Sequence, residues 1–409
     1  MGILSIKKPD DGVLYSLAFC FIVFFFPIIA LLNSVIGINS NILSITYRGI
    51  ALALSLYLIF INFEIKNAFT FNKSILLLFI FWCYYLIKLL IDLYINNLVP
   101  DLGMFSYSKS YYILMSFGVC FVPMLASYKI SGKINPESIN KYLLFTFALI
   151  NILLIVNFIS KYGIDVAKYA SIRISIRSES GNPPLLNPIT IGTYGGFLLI
   201  TLMFAKLNSL IKIPLFIIAV TNLILSASLG PFMGLVIMVI TYLCFKWRTI
   251  NKIVFLALAL ILAGILFIVF SGIDERFFLI NRLMNLDSNQ SAFIRIESIE
   301  LAFDQIKSNL IFGTHFFVTK NSSSPHNIFI DIFLSTGLLG IGLILYPVFQ
   351  FFKHFIKDNG NTLILQIALY TFILAQTSGY VFGLSDFWPT FALSLGIISI
   401  NTNYQAITI

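Results

Sequence analysis

Residues Val13–Leu32 read VLYSLAFCFIVFFFPIIALL, a run with no Asp, Glu, Lys or Arg. A helix of about 20 residues rises about 30 Å, the thickness of the hydrocarbon core of a bilayer. Lys7 and Lys8 precede the run and no Ala-x-Ala site follows it, so an uncleaved first span is expected rather than a signal peptide. Working outward, apolar runs recur at 43–63, 74–96, 111–127, 142–160, 189–205, 213–227, 230–245, 253–272, 327–352, 361–380 and 388–401. The seventh and eighth are the shortest pair, separated by Ser228, Leu229 and Gly230. None alternates as a barrel strand would, and in lipid each backbone group needs a partner within its own segment, so all are expected as helices.

Composition agrees. Of 409 residues, 59% are apolar and 11% charged, with a mean hydropathy of +0.95. A soluble domain carries roughly 25% charged residues, so that class is excluded. A disordered chain is excluded too, because 42 Phe and 19 Tyr would collapse in water. The expected fold is an all-α polytopic membrane protein of about 12 transmembrane helices. It forms a single integral membrane domain over 1–409, with long loops at 161–188 and 273–326. Cys20, Cys83, Cys120 and Cys244 lie inside apolar runs without CxxC spacing and read as small buried hydrophobes.

The net charge of +9 is explained by its distribution, not by nucleic acid. With the N-terminus inside, the inner segments hold Lys7, Lys8, Lys66, Lys73, Lys129, Lys133, Lys141, Lys206, Lys212, Lys246, Arg248, Lys252, Lys353 and Lys357. The short outer loops hold Lys109 alone. This asymmetry sets both termini in the cytoplasm. The two long outer loops carry Lys161, Lys168, Arg173, Arg177, Arg276, Arg282, Arg295, Lys307 and Lys320. Long translocated loops escape the positive-inside rule, and cations gathered there suit an anionic ligand.

Arg48, Lys88, Asp92 and Asp331 fall inside apolar runs, toward the outer ends of their spans. Each costs about 2.5–3.5 kcal/mol at the bilayer centre, so a polar cavity is expected at that end. Lys88 and Asp92 stand four residues apart on one helix face, the spacing of an internal ion pair. In the second long loop, Ile299, Phe303, Ile306 and Leu310 recur at helical spacing from Ile294 to Phe312, with Glu297, Asp304 and Lys307 between them. That pattern predicts an amphipathic helix lying on the membrane surface and ended by Gly313. The first long loop, with Gly181-Asn182-Pro183-Pro184 and Asn187-Pro188, is turn-rich.

Three histidines occur. His354 reads as a solvated inner residue, and His315 follows Gly313-Thr314 in the outer loop. His326 stands in Ser324-Pro325-His326-Asn327, where the loop meets the tenth span, so its imidazole is held at the membrane surface. These positions lack the companions that zinc, calcium or magnesium sites need, so no metal and no cofactor are expected.

From Arg295 to Gly340 the chain reads R-IESIELAFDQIKSNLIF-G, a short polar stretch, then SPHNIFIDIFLSTGLLG. This region resembles the signature of the O-antigen polymerase and O-antigen ligase superfamily. There an Arg opens an interfacial helix, a Gly ends it, and a His-Asn pair precedes a helix containing Gly-Leu-Leu-Gly. Arg295, Gly313, His326, Asn327, Gly337 and Gly340 match in kind and order. Arg173, Arg177 and Asn187-Pro188-Ile189 resemble the family's other arginine-bearing periplasmic loop. One departure is Ser228-Leu229-Gly230, where members often show Ser-Arg-Gly.

The resemblance implies inverting, metal-independent glycosyl transfer at the periplasmic face of the bacterial inner membrane. A glycan held on a polyprenyl diphosphate passes to an acceptor hydroxyl, with lipid-linked donor and acceptor, the bilayer and a chain-length regulator protein as partners. Arginine's planar fork grips phosphate oxygens and stabilises charge on the leaving diphosphate. Arg295 is the first candidate for that role, then Arg177 and Arg173. His326 is the candidate general base, with Asn327, Lys88, Asn187 and Arg282 in support. Polymerase and ligase share these residues; the Ile-, Phe-, Asn- and Lys-rich composition associates the chain with polymerases. A flippase or other transporter is the reading from a different class, disfavoured by one-sided charges, long outer loops and no correspondence between halves.

Overall fold

The computed structural model describes residues 11–36, 40–62, 72–100, 108–163, 186–246, 290–357 and 362–407. The helices are α1 (Asp11–Phe24), α2 (Phe26–Ile36), α3 (Ser40–Ile61), α4 (Lys73–Leu90), α5 (Lys109–Ile113), α6 (Val122–Ile130) and α7 (Pro136–Tyr162). They continue with α8 (Pro188–Phe204), α9 (Ser209–Leu225), α10 (Leu229–Lys246), α11 (Gln290–Ile306), α12 (Ile328–Lys357), α13 (Leu363–Ser378) and α14 (Phe387–Ile407). Among the described residues, the extended pairing is one isolated bridge, Val318 with Ser323. The chain is an all-α polytopic membrane protein.

Eleven of the twelve apolar runs fall on these helices; the run 253–272 lies outside the described residues. Five helical stretches have the length and apolarity of full spans: Ile42–Ile61, Lys73–Ile95, Lys109–Ile130, Pro136–Lys161 and Ile328–Lys357. The bent pair α1–α2 makes a sixth, and α8, α9, α10, α13 and α14 are shorter apolar helices. Large apolar side chains face outward from the described helices, Phe60 79% exposed and Leu210 81%, as contact with lipid calls for. Buried residues from helices between α1 and α14 join into one core, while α11 has its own small cluster of Ala302, Ile306, Val318 and Leu334. Cys20 and Cys120 sit in the main core and Cys83 is half-buried.

Sequence chemistry sets the helix starts. Asn135 and Asn187 cap α7 and α8 with their side-chain oxygens, each followed by Pro at the first helical position, where a missing N–H is harmless. Between α7, α8 and α9 runs a buried amide chain. Asn151 Nδ2 donates to the Tyr194 carbonyl at 2.9 Å, and Asn222 Nδ2 donates to Asn151 Oδ1 at 2.8 Å. Such bonds between spans contribute about 0.6–2 kcal/mol each.

Three of the expected elements differ. The first span is not straight: α1 and α2 meet at 61° around Phe25. Pro27 has no N–H to continue the helix and its ring crowds the preceding turn. The hydroxyl of Tyr47 satisfies the Phe21 carbonyl at 2.7 Å, and that of Tyr194 satisfies Phe24 at 3.3 Å. The tenth span also breaks, at Gly337 (φ 65°, ψ −159°). The interfacial helix begins at Gln290 and ends at Ile306, earlier than Gly313. Asn309 Oδ1 accepts the Phe312 N–H at 3.2 Å, turning residues 307–312 out of the helix so that the chain can enter the Gly337 break.

That entry is a backbone clamp. Leu338 N donates to the Leu310 carbonyl at 2.9 Å, Leu339 N to Ile311 at 3.2 Å, and Thr314 N to Leu334 at 2.7 Å. Gly313 (φ 71°) and Gly337 approach each other backbone to backbone, so closely that a Cβ on Gly313 would lie 2.5 Å from Ser335 C and Thr336 N. Both positions need glycine for conformation and for space. The clamp fixes α11 against α12, and with them Arg295 and His326.

Candidate functional site

Four polar side chains hold the clamp from outside. Tyr84 Oη donates to the Phe312 carbonyl at 2.7 Å and Lys88 Nζ to the Gly313 carbonyl at 3.3 Å. Asp92 accepts from the Phe316 N–H at 3.1 Å and pairs with His315 Nδ1 at 2.8 Å. Gln305, on α11, bonds the Phe317 carbonyl and the Thr319 N–H. The expected ion pair between Lys88 and Asp92 is therefore not made. Asp92 sits in the wide π turn Ile91–Ile95 that continues α4, which points its carboxylate at the loop. Asp331 in turn accepts the Val381 N–H at 2.7 Å, tying α12 to the segment between α13 and α14.

Arg295 and Asn327 meet at the C-terminal end of α13. Arg295 Nη1 donates to the Thr377 carbonyl at 2.8 Å and Asn327 Nδ2 to the neighbouring Gln376 carbonyl at 3.2 Å. A helix C-terminus carries partial negative charge, which favours the guanidinium there. Asn327 is also the cap of α12, its Oδ1 accepting from Phe329 N at 3.0 Å and Ile330 N at 3.2 Å.

His326, between Pro325 and this cap, is left-handed (φ 54°). A non-glycine residue held there stores about 1–3 kcal/mol, a cost that collects at functional sites. Burial, with the positive charge of Arg295 adding to it, lowers the imidazole pKa to about 4. It is neutral at physiological pH, with a lone pair to accept a proton.

His326 lines a cavity of about 480 Å³. Its walls also take in α3 (Tyr47, Arg48), Tyr111, the end of α1, the first turns of α2 and α8, one face of α13 and the stretch leading into α14. Arg48 lies over two rings, 5.3 Å from the centroid of Phe26 and 5.9 Å from that of Tyr111. Asp386 lines the same hollow; burial holds its carboxyl above the ordinary range, against backbone hydrogen bonds at the start of α14.

Of the residues expected at the site, His326 and Asn187 line this cavity. Arg295 of α11 and the α12 cap Asn327 hydrogen-bond to the end of α13, whose Thr371, Leu374 and Ser378 form part of the cavity wall. Lys88 belongs to the clamp rather than to the cavity. Arg173, Arg177 and Arg282 lie outside the described residues. Asp386, which the sequence did not single out, falls in the gap between the last two apolar runs. Arg48 was visible as a cation within a span, but its place in one cavity with the histidine was not.

Taken together, this is a polytopic membrane protein with a histidine-bearing, partly cationic cavity at one end of its bundle. Residues 214–345 match the family model described as O-antigen ligase, about a third of the chain. The match supports an O-antigen polymerase- or ligase-like membrane transferase and does not separate the two activities. It contains Arg295, Gly313, His326, Asn327 and Gly337, and excludes Arg48, Lys88, Asn187 and Asp386. None of the curated proteins matches the chain.

Proposed function

We propose that the chain transfers a glycan from a polyprenyl diphosphate to an acceptor hydroxyl, and that its product is a lengthened lipid-linked O-antigen. The observation that carries this reading is the neutral, left-handed His326 at a cavity with Arg295 beside it. A sugar hydroxyl is too weak an acid to ionise beforehand. His326 therefore takes its proton as the hydroxyl oxygen attacks the anomeric carbon and the bond to the diphosphate oxygen breaks. Direct displacement inverts that carbon. The electron pair leaves with the diphosphate, whose growing charge Arg295 offsets, with Arg177 and Arg173 as further candidates. Asn327 and Asn187 act through position, by capping α12 and α8. The distribution of Lys and Arg along the sequence supports a site on the periplasmic face of the bacterial inner membrane, with both termini in the cytoplasm.

The test is transfer by the purified protein in lipid nanodiscs supplied with a lipid-linked repeat unit. Product of increasing length is expected without any ion gradient; absence of transfer, with transport of the substrate instead, would overturn the reading. Polymerase is favoured over ligase, and a gel of lipopolysaccharide from a deletion strain separates them. Single repeat units on the core mean a lost polymerase, whereas a bare core means a lost ligase. Transport remains the reading of a different class on one specific ground, the broken span α1–α2 beside a cavity, since broken spans line transporter sites.

A further inference from the structure

We propose that Arg48 binds the lipid-linked diphosphate inside the cavity. This rests on the glycosyl-transfer reading and goes beyond it, because Arg48 lies outside the family match and was not among the expected diphosphate ligands. Arg48 sits within the span Ile42–Ile61, and an ionisable residue in a span marks a functional site by default. Its guanidinium rests on Phe26 and Tyr111 and lines the cavity from the α3 side. Among the described residues, no carboxylate lies within ion-pair distance of it. Asp386, in the same hollow, accepts backbone N–H groups at the start of α14 instead.

The walls favour an anion as well. The first turns of α2 and of α8 line the cavity, at Phe26 and at Ile189 and Thr190, and a helix N-terminus carries partial positive charge. Arg295, by contrast, has Nη1 on the Thr377 carbonyl and does not line the cavity. On the same helix as Arg48, Ile42 and Ile45 are each 60% exposed on the lipid side of the bundle. A diphosphate on Arg48 would thus have its polyprenyl chain leave along α3, while its sugar occupies the hollow lined by His326.

The experiment measures binding of undecaprenyl diphosphate to the full-length protein in nanodiscs, with undecaprenyl monophosphate and phosphatidylglycerol as competitors. Arg48→Gln should weaken diphosphate binding by about tenfold or more, the worth of a hydrogen bond to a charged group. Arg48→Lys should recover part of it, since an ammonium keeps the charge and loses the fork. His326→Ala should bind as the wild type does and fail only in transfer. Wild-type affinity in Arg48→Gln, or in Arg48→Lys should the first variant not fold, would overturn the inference. So would displacement by phosphatidylglycerol at equal concentration, which would make this a headgroup site. If the wild type itself binds no diphosphate lipid, the glycosyl-transfer reading fails first and this inference with it. If Arg295→Gln alone abolishes binding, the reading stands and the assignment to Arg48 falls.

Discussion

The clamp around Gly313 and the cavity lined by His326 are both built from charged and polar side chains, and their charges are treated in opposite ways. In the clamp, Lys88 donates to a carbonyl, Asp92 holds His315 and an N–H, and Gln305 bonds on both its oxygen and its nitrogen. In the cavity, Arg48 has aromatic rings where a carboxylate would be expected, and His326 keeps a strained backbone and a neutral ring. A polar group in a low-dielectric interior is costly unless it is paired. The clamp meets that requirement from within the chain and is therefore structural. In the cavity, among the described residues, Arg48 is held by aromatic rings and the Tyr111 hydroxyl with no carboxylate within ion-pair distance, so an anionic partner is expected from outside.

Variants on the two sides should separate along this line. The largest effect is expected in the cavity. His326→Ala should lower transfer by about 10²–10⁴-fold, the usual contribution of a general base, with the melting temperature little changed. Steady-state turnover of lipid-linked substrate checks it, and near-normal turnover would remove the base assignment. In the clamp the loss should appear in stability. Gly313→Ala places a Cβ against Ser335 and Thr336 in a left-handed conformation, for a penalty of about 2–4 kcal/mol. A lower unfolding midpoint in detergent is the readout, and an unchanged midpoint would mean that the clamp opens without cost. Asp92→Asn is milder, about 1–3 kcal/mol, because it weakens the bonds to His315 and Phe316 without adding a clash. Activity per folded molecule should stay within a few-fold of wild type, since Asp92 does not line the cavity.

Much of this contrast was legible in the sequence, and the failures have a common cause. Apolar run length identified the helices because the bilayer dictates it locally. Gly313, His326 and Gly337 stood out through the family resemblance, but that the two glycines take positive φ and meet backbone to backbone was not visible in the sequence. Pairing partners were less visible. Lys88 and Asp92 satisfy helical spacing, yet Asp92 turns to His315, more than 200 residues away, because a π turn redirects it. Arg48 and His326 come from opposite ends of the chain, and no local pattern announces that the bend at Phe25 opens a hollow between them. The bend in the first span was hidden for the same reason: Pro27 was in view, but the hydroxyls of Tyr47 and Tyr194 that make its kink tolerable come from other helices.

The smallest effect, and the sharpest test of how the cavity treats its histidine, is in pH dependence. An imidazole at its ordinary value of about 6.5 would lose half its basic form by that pH. Lowered to about 4, His326 should keep transfer level from pH 7 down to about 5 and halve it near 4. Replacing Arg295 by Gln removes one of the two causes of the lowering, so the acid limb should move upward, toward 6.5, on top of any loss in rate. The same shift has a stability consequence of defined sign. Between about pH 6.5 and 4 the unfolded chain takes up a proton that the folded histidine refuses, so stability falls as pH falls through that window. His326→Gln should lose that share of the slope while Asp92→Asn retains it. An acid limb at 6.5 in the wild type would place the imidazole in open water, and the claim that the cavity keeps its histidine neutral by burial would fall.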